Sequence, residues 1–125
     1  MNYINSQSLA PVVGPFSTAV SANNFLFLSG QVGTGPTGEL AKTFEEEVVQ
    51  VMENIGAILL ENGLGFHDIV TVTVYLKDMQ KFSLLNSIYS RYFDNTYPAR
   101  TCIAVADLPV MANVEITITA EQKSL

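Results

Sequence analysis

Charge is scarce in this chain. Aspartate, glutamate, lysine and arginine together make up 14% of its 125 residues, against roughly a quarter in an average soluble domain. So few charges cannot coat a monomer evenly, and part of the surface is expected to meet another subunit. Basic charge is the scarcest. Lys42, Lys77, Lys81, Arg91, Arg100 and Lys123 lie scattered against 12 acidic residues, for a formal charge of −6. No basic stripe exists to neutralise phosphates, which weighs against nucleic acid as a partner. Cysteine and histidine occur once each. An intrachain disulfide is therefore excluded, a reducing compartment fits, and no metal-ligand spacing is present. No run approaches the ~18 apolar residues of a membrane span. The opening MNYINSQSLAPVVGPF lacks a basic n-region and a continuous apolar h-region. These absences predict one soluble cytoplasmic domain over residues 1–125, with no membrane partner and no metal.

What is present is patterned. Residues 1–16 read as irregular. Ser17–Ala22 and Phe25–Ser29 read as strands around an Asn23-Asn24 turn, because Asn tolerates positive φ. Gly30–Gly38 reads as a loop. It spells G-x-G-x-x-G from Gly33, but Pro36 interrupts it and no helix starts at Gly38, so an ordinary turn is expected rather than a cofactor cradle. Thr43 to about Asn62 is the clearest helix. Thr43 is the N-cap with Glu46 as capping-box partner, Glu45, Glu46 and Glu47 suit the first-turn dipole, and Gly63 closes the end. Phe44, Val48, Met52, Ile55 and Leu59 follow its 3.6-residue period.

Ile69–Lys77 is the clearest strand, with Val70, Val72, Val74 and Leu76 alternating against Thr71, Thr73, Tyr75 and Lys77. A second helix is expected over Lys81–Asn95, then strands over Thr101–Ala106 and Asn113–Glu121. The order ββ-α-β-α-ββ predicts an α+β fold, a mixed sheet with two helices packed on one face. The second faces of the best strands carry Thr, Tyr and one Glu. That neutral, hydrogen-bonding surface is a second sign of an oligomer.

Few residues can carry chemistry. His67 stands alone in a polar turn and reads as a surface or cap residue. Cys102, between apolar neighbours and with no adjacent base, reads as a small buried hydrophobe. Glu115 lies mid-strand on the Thr face, where an unpaired carboxylate is expensive to bury. It is either an ion-pair member or a group facing a polar pocket. Arg100 follows Pro98-Ala99 at a strand edge, and is either structural or a rigid fork for bidentate capture of a carboxylate. Read as an antiparallel hairpin, 101–106 and 113–119 would put Arg100 nearer position 119 than Glu115.

In order along the chain stand Gly14-Pro15-Phe16-Ser17, Phe27-Leu28-Ser29-Gly30-Gln31, Thr37-Gly38-Glu39, Glu53-Asn54-Ile55, Val72 through Met79, Asn86-Ser87-Ile88-Tyr89, Pro98-Ala99-Arg100, Leu108-Pro109 and Val114-Glu115-Ile116. With these segments the chain resembles the Rid (YjgF) family of imine/enamine deaminases over nearly its whole length. The resemblance implies a chorismate-mutase-like single domain and a homotrimer whose sheets form a central barrel, with active sites in the clefts between subunits. It implies hydrolysis of 2-aminoacrylate or 2-iminobutyrate to 2-keto acids and ammonia, with no cofactor. By carry-over, Arg100 clamps the substrate carboxylate and Glu115 orients water. The backbone at Cys102 and Gly30 binds substrate, and Ser29, Asn86 and Phe16 line the cleft. The family's Gly-Pro-Tyr reads Gly-Pro-Phe at Phe16, so one hydroxyl at the cleft edge is missing. The alternative from another class is a non-catalytic regulatory trimer holding small metabolites in the same cleft. Ribonuclease action, also claimed for the family, is opposed by the acidic charge and the single His.

Overall fold

The computed structural model describes residues 1–122, which leaves Lys123 outside the described residues. Its elements are β1 (Asn2–Ile4), β2 (Ala19–Ala22), β3 (Phe25–Leu28), β4 (Gln31–Val32), α1 (Phe44–Glu61), β5 (Ile69–Leu76), α2 (Phe82–Tyr89), β6 (Ala99–Ala104) and β7 (Val114–Glu121). All seven strands share one sheet in the order β1-β2-β3-β7-β5-β6, with β4 also pairing β7. Only β5 and β6 run parallel, because α2 carries the chain back between them.

The sheet is two-sided. Val72, Val74 and Leu76 of β5 and Val114, Ile116 and Ile118 of β7 are buried. They join Val48, Val51, Met52, Ile55, Ile58 and Leu59 of α1, and Leu85, Ile88 and Tyr89 of α2, in one core. The alternate residues of both strands face away from the helices, since successive side chains point to opposite faces.

The cap signals of α1 are realised in part, since the Glu46 side chain makes no return bond to the Thr43 amide among the described residues and the capping box is half formed. Thr43 accepts a hydrogen bond from the Glu46 amide at 3.1 Å. Gly63 takes φ 73°, and the amides of Gly63 and Leu64 bond the carbonyls of Leu60 and Leu59, at 3.0 and 2.8 Å. Asn23 and Asn24, at φ 50° and 66°, form the two-residue turn joining β2 to β3.

Several expectations are corrected. The strands over 101–106 and 113–119 do not form a hairpin: β5 lies between β6 and β7, because the chain crosses over instead of turning back. The second helix stops at Tyr89, followed by a 3₁₀ turn over Ser90–Tyr92. Its tail instead places Phe93 among Phe66, Tyr89 and Tyr97, with ring centroids 4.9–5.9 Å apart. Val70 is exposed and Ile69 buried, since the pairing of β5 with β7 shifts between Ile69 and Thr71. Strand β1 falls in the segment read as irregular, and β4 in the segment read as loop.

Glu47 does more than complement the helix dipole. It is buried and accepts from the Asn113 amide at 2.8 Å and the Asn113 side chain at 2.6 Å, tying α1 to the start of β7. Glu47→Ala is expected to cost about 2 kcal/mol in urea unfolding, because two charge-assisted bonds are lost. Glu45→Ala, at an exposed first-turn position, is expected to cost less than about 1 kcal/mol.

Candidate active site

Arg100 sits on the edge strand β6, opposite the buried Val72 of β5. That register turns its side chain to the helix face of the sheet, where α2 meets it. Asn86 and Tyr89 are three residues apart on α2 and so share one face. The Arg100 Nη2 donates to Asn86 Oδ1 at 2.7 Å. The guanidinium stacks over the Tyr89 ring at 4.8 Å and the Phe82 ring at 5.5 Å. One fork atom is thus bonded and two rings pack against the guanidinium, while among the described residues no carboxylate pairs with the charge. A pocket of about 300 Å³ opens here, lined by Asn86, Tyr89, Ser90, Tyr97, Pro98 and Arg100. The Tyr89 hydroxyl is buried with no hydrogen-bond partner among the described residues. Burial raises its pKa to about 12, against an opposing pull from Arg100. Cys102 lies two residues along β6 on the same face. Burial pushes its thiol up and the Arg100 charge only partly offsets this, so it is not an activated nucleophile.

Glu115 occupies the opposite face. It pairs with Tyr75 on one side and Val32 on the other. Next to it the sheet is bulged. Phe27 pairs with Thr119, and Gln31 with Ile116, so Leu28, Ser29 and Gly30 stand against only Thr117 and Ile118. Thr117 pins the bulge by donating to the Leu28 carbonyl at 2.8 Å. Bulges re-aim side chains beside functional sites, and here the extra residue brings Gly30 against Glu115. A Cβ on Gly30 would lie 2.5 Å from Glu115 Oε2, so any side chain there would displace the carboxyl group. Ser29 spends its hydroxyl proton on the Ser17 carbonyl at 2.6 Å, which leaves its oxygen lone pairs available. The Glu115 carboxyl has no hydrogen-bond or salt-bridge partner among the described residues, and burial raises its pKa. Ser29, Gly30, Glu115 and Phe16 line one cavity of about 650 Å³.

The residues singled out from sequence therefore fall into two groups. Arg100, Asn86 and Cys102 gather on the helix face at the β6 edge. Phe16, Ser29, Gly30 and Glu115 gather on the other face. Arg100 aligns through Val72 with Ile118 and points away from Glu115's side, so one chain does not join the two. Tyr89, which sequence reasoning did not single out as a site residue, joins the first group. Its i, i+3 spacing from Asn86 was the available signal. His67 is exposed, its ring 3.4 Å from Asp68, and belongs to neither group.

The family described as endoribonuclease L-PSP matches residues 7–122. A RutC family protein of Aquifex aeolicus is 50% identical over 115 residues, covering 89% of this chain and 92% of that protein. The chloroplastic Reactive Intermediate Deaminase A of Arabidopsis thaliana is 37% identical over 119 residues, covering 94% of this chain and 64% of that protein. The crystal structure of RidA from the Antarctic bacterium Psychrobacter sp. PAMC 21119 superposes with a TM-score of 0.93 at 35% identity, covering 97% and 99% of the two chains.

An elevated Glu115 carboxyl has a measurable consequence. Between its ordinary value of 4.5 and its raised value, the folded state binds more protons than the unfolded state. Stability therefore falls as pH rises through that window. Glu115→Gln removes the ionisation, so the variant is expected to melt above the wild type at neutral pH. The gap should close as the pH drops below 4.5, read from thermal unfolding across pH.

Proposed function

We propose that this chain, which belongs to the endoribonuclease L-PSP family, hydrolyses reactive 2-imino and enamine acids, such as 2-iminobutyrate and 2-aminoacrylate, to 2-keto acids and ammonia. The observation that carries this reading is a pair of held but unpartnered opposite charges, Arg100 on one face of the sheet and Glu115 on the other. A structural Arg or Glu would be expected to find its own counter-charge. Arg100 is oriented by Asn86, Tyr89 and Phe82, and both groups are left without a counter-charge.

Arg100 suits a substrate carboxylate. Asn86 takes one of its N–H groups and the rings of Tyr89 and Phe82 fix its plane. The remaining donors can grip two oxygens at once. Glu115 suits a water. A carboxyl raised by burial is a better base near neutral pH than an ordinary one. In the step proposed, water oxygen attacks C2 of the imine as Glu115 accepts a water proton. The C=N π electrons move to nitrogen, which takes up the proton that Glu115 received from the water. Glu115 then relays the carbinolamine hydroxyl proton to the amine nitrogen, the C–N bond breaks as the C=O bond forms, and ammonia leaves the keto acid. An enamine first takes a proton at C3. Imines hydrolyse unaided, so positioning and one base suffice. No activated nucleophile is required, in keeping with the raised Cys102 thiol.

Two copies are needed, because Arg100 and Glu115 of one chain lie on opposite faces. We assign the complete site to a cleft between subunits of a homotrimer, with Arg100, Asn86 and Cys102 from one and Glu115, Ser29, Gly30 and Phe16 from its neighbour. The uncovered sheet face supports this assembly. Thr117, Thr73 and Thr101 form a row across three strands there, and Phe27 and Ile103 remain exposed at 45% and 43%. Against an RNA substrate stand the −6 charge and six scattered cations.

The test couples a threonine dehydratase, which makes the imine in situ, to semicarbazide trapping of what survives. Wild type is expected to speed keto-acid release. Arg100→Ala is expected to lose at least about a hundredfold with its circular dichroism unchanged, and Arg100→Lys to recover little, because the fork is lost. Co-refolding Arg100→Ala with Glu115→Gln is expected to restore activity at about a quarter of the sites, as random assembly of a shared site requires. No acceleration by the folded wild type would leave the metabolite-binding reading. Acceleration without complementation would place the whole site in one chain.

A further inference from the structure

The cavity beside Glu115 is more apolar and larger than a three- or four-carbon imine needs. In the isolated subunit, before a neighbour adds its half of the site, it measures about 650 Å³, in the range of sites for much bigger ligands. Its polar lining comprises Thr18, Ser29, Gln31, Thr34, Asn54 and Glu115. Much of the remaining wall is apolar and comes from two stretches far apart in sequence, one with Leu9, Pro11, Val12 and Phe16 and the other with Pro109 and Val110.

Both stretches are fixed. Glu61 fastens the first by accepting from the Ser6 hydroxyl at 2.6 Å, the Gln7 amide at 3.1 Å and the Ser8 hydroxyl at 3.1 Å. The Ser6 amide adds a bond to Thr18 Oγ1 at 3.1 Å. The second is held in an unusual shape. Val110 takes φ 52° and ψ 27°, and Met111 follows at φ 61°. A β-branched residue in the left-handed region is a genuine outlier, and such outliers cluster at ligand clamps. Glycine or asparagine would adopt this turn with less strain. Instead the chain carries a valine, 58% exposed in the isolated subunit, at the rim of the cavity. A strained backbone bearing an outward apolar side chain makes sense if that side chain has something to contact.

We propose that Phe16 and Val110 form a side-chain subsite that selects 2-imino acids with branched or aromatic side chains over those with a methyl or ethyl group. The proposal rests on the deaminase reading and names the substrate class for it. With the carboxylate on Arg100 and C2 near Glu115, the substituent at C3 and beyond is left to the apolar wall. Phe16 offers a ring face and no hydroxyl, so an apolar substituent meets no unpaired polar group there. Each methylene moved from water to such a wall favours binding, and two or three of them discriminate by roughly tenfold or more.

The experiment generates imines with an L-amino-acid oxidase from leucine, phenylalanine, alanine and 2-aminobutyrate. It measures for each the partition between enzyme hydrolysis and semicarbazide trapping. Wild type is expected to favour the leucine and phenylalanine imines by roughly tenfold over the two small ones. Val110→Asn, whose backbone accepts the left-handed turn, is expected to bring that ratio towards one, as is Phe16→Ala. Equal or better hydrolysis of the small imines by wild type overturns the subsite and leaves the deaminase standing. If no imine is accelerated the deaminase reading falls, and calorimetry with the stable keto acids then decides the subsite separately. Tighter binding of 4-methyl-2-oxopentanoate than of pyruvate supports it, and equal or weaker binding overturns it.

Discussion

The two-residue alternation of β5 and β7 is the constraint on which everything else depends. Val72, Val74, Leu76, Val114, Ile116 and Ile118 are committed to the helices, so Thr73, Tyr75, Glu115, Thr117 and Thr119 are committed to the other face. A slip of one residue would exchange the two sets and strand the core in water, so register is strongly specified. That register passes sideways to the neighbours. Pairing with Val72 sends Arg100 to the helix face, and pairing with Tyr75 keeps Glu115 off it. The separation of the two charges is thus a by-product of core formation. No local rearrangement brings them together within a chain.

Much of this was legible in the residues. The caps of α1 are chemical signals read in place, and the alternation in β5 and β7 is a periodic one. Glu115 stood out because a carboxylate in mid-strand needs a reason, and Arg100 because the chain has only two arginines. What escaped was non-local. Whether β7 lies beside β6 or beyond β5 is decided by which apolar edges meet in the folded sheet, and sequence adjacency wrongly favoured the hairpin. Strand β4 is two residues long and exists because β7 pairs with it, so a Gly-rich stretch gave no hint. The same holds for the bulge at Ser29-Gly30, a mismatch between two strands that neither shows alone. Glu47 looked like one of three dipole-matching acids until Asn113 was found against it.

The unpaired groups describe a division of labour between stability and function. In an isolated subunit the half-buried Glu115 carboxyl and the buried Tyr89 hydroxyl both oppose folding, since each gives up water without a protein partner. A chain selected for stability alone could remove either at little cost, with Gln or Phe. It could also relax Val110 with Asn. These unsatisfied features lie along the two half-sites. Away from them, by contrast, the buried Glu47 is fully engaged, holding both the amide and the side chain of Asn113. A fold that satisfies its polar groups elsewhere and leaves them open around Arg100 and Glu115 is arranged for partners from outside the chain. The substrate we propose, anionic, water-requiring and with an apolar tail, would answer each open group in turn. Its carboxylate would meet Arg100, the reacting water Glu115, and the tail the Phe16–Val110 wall.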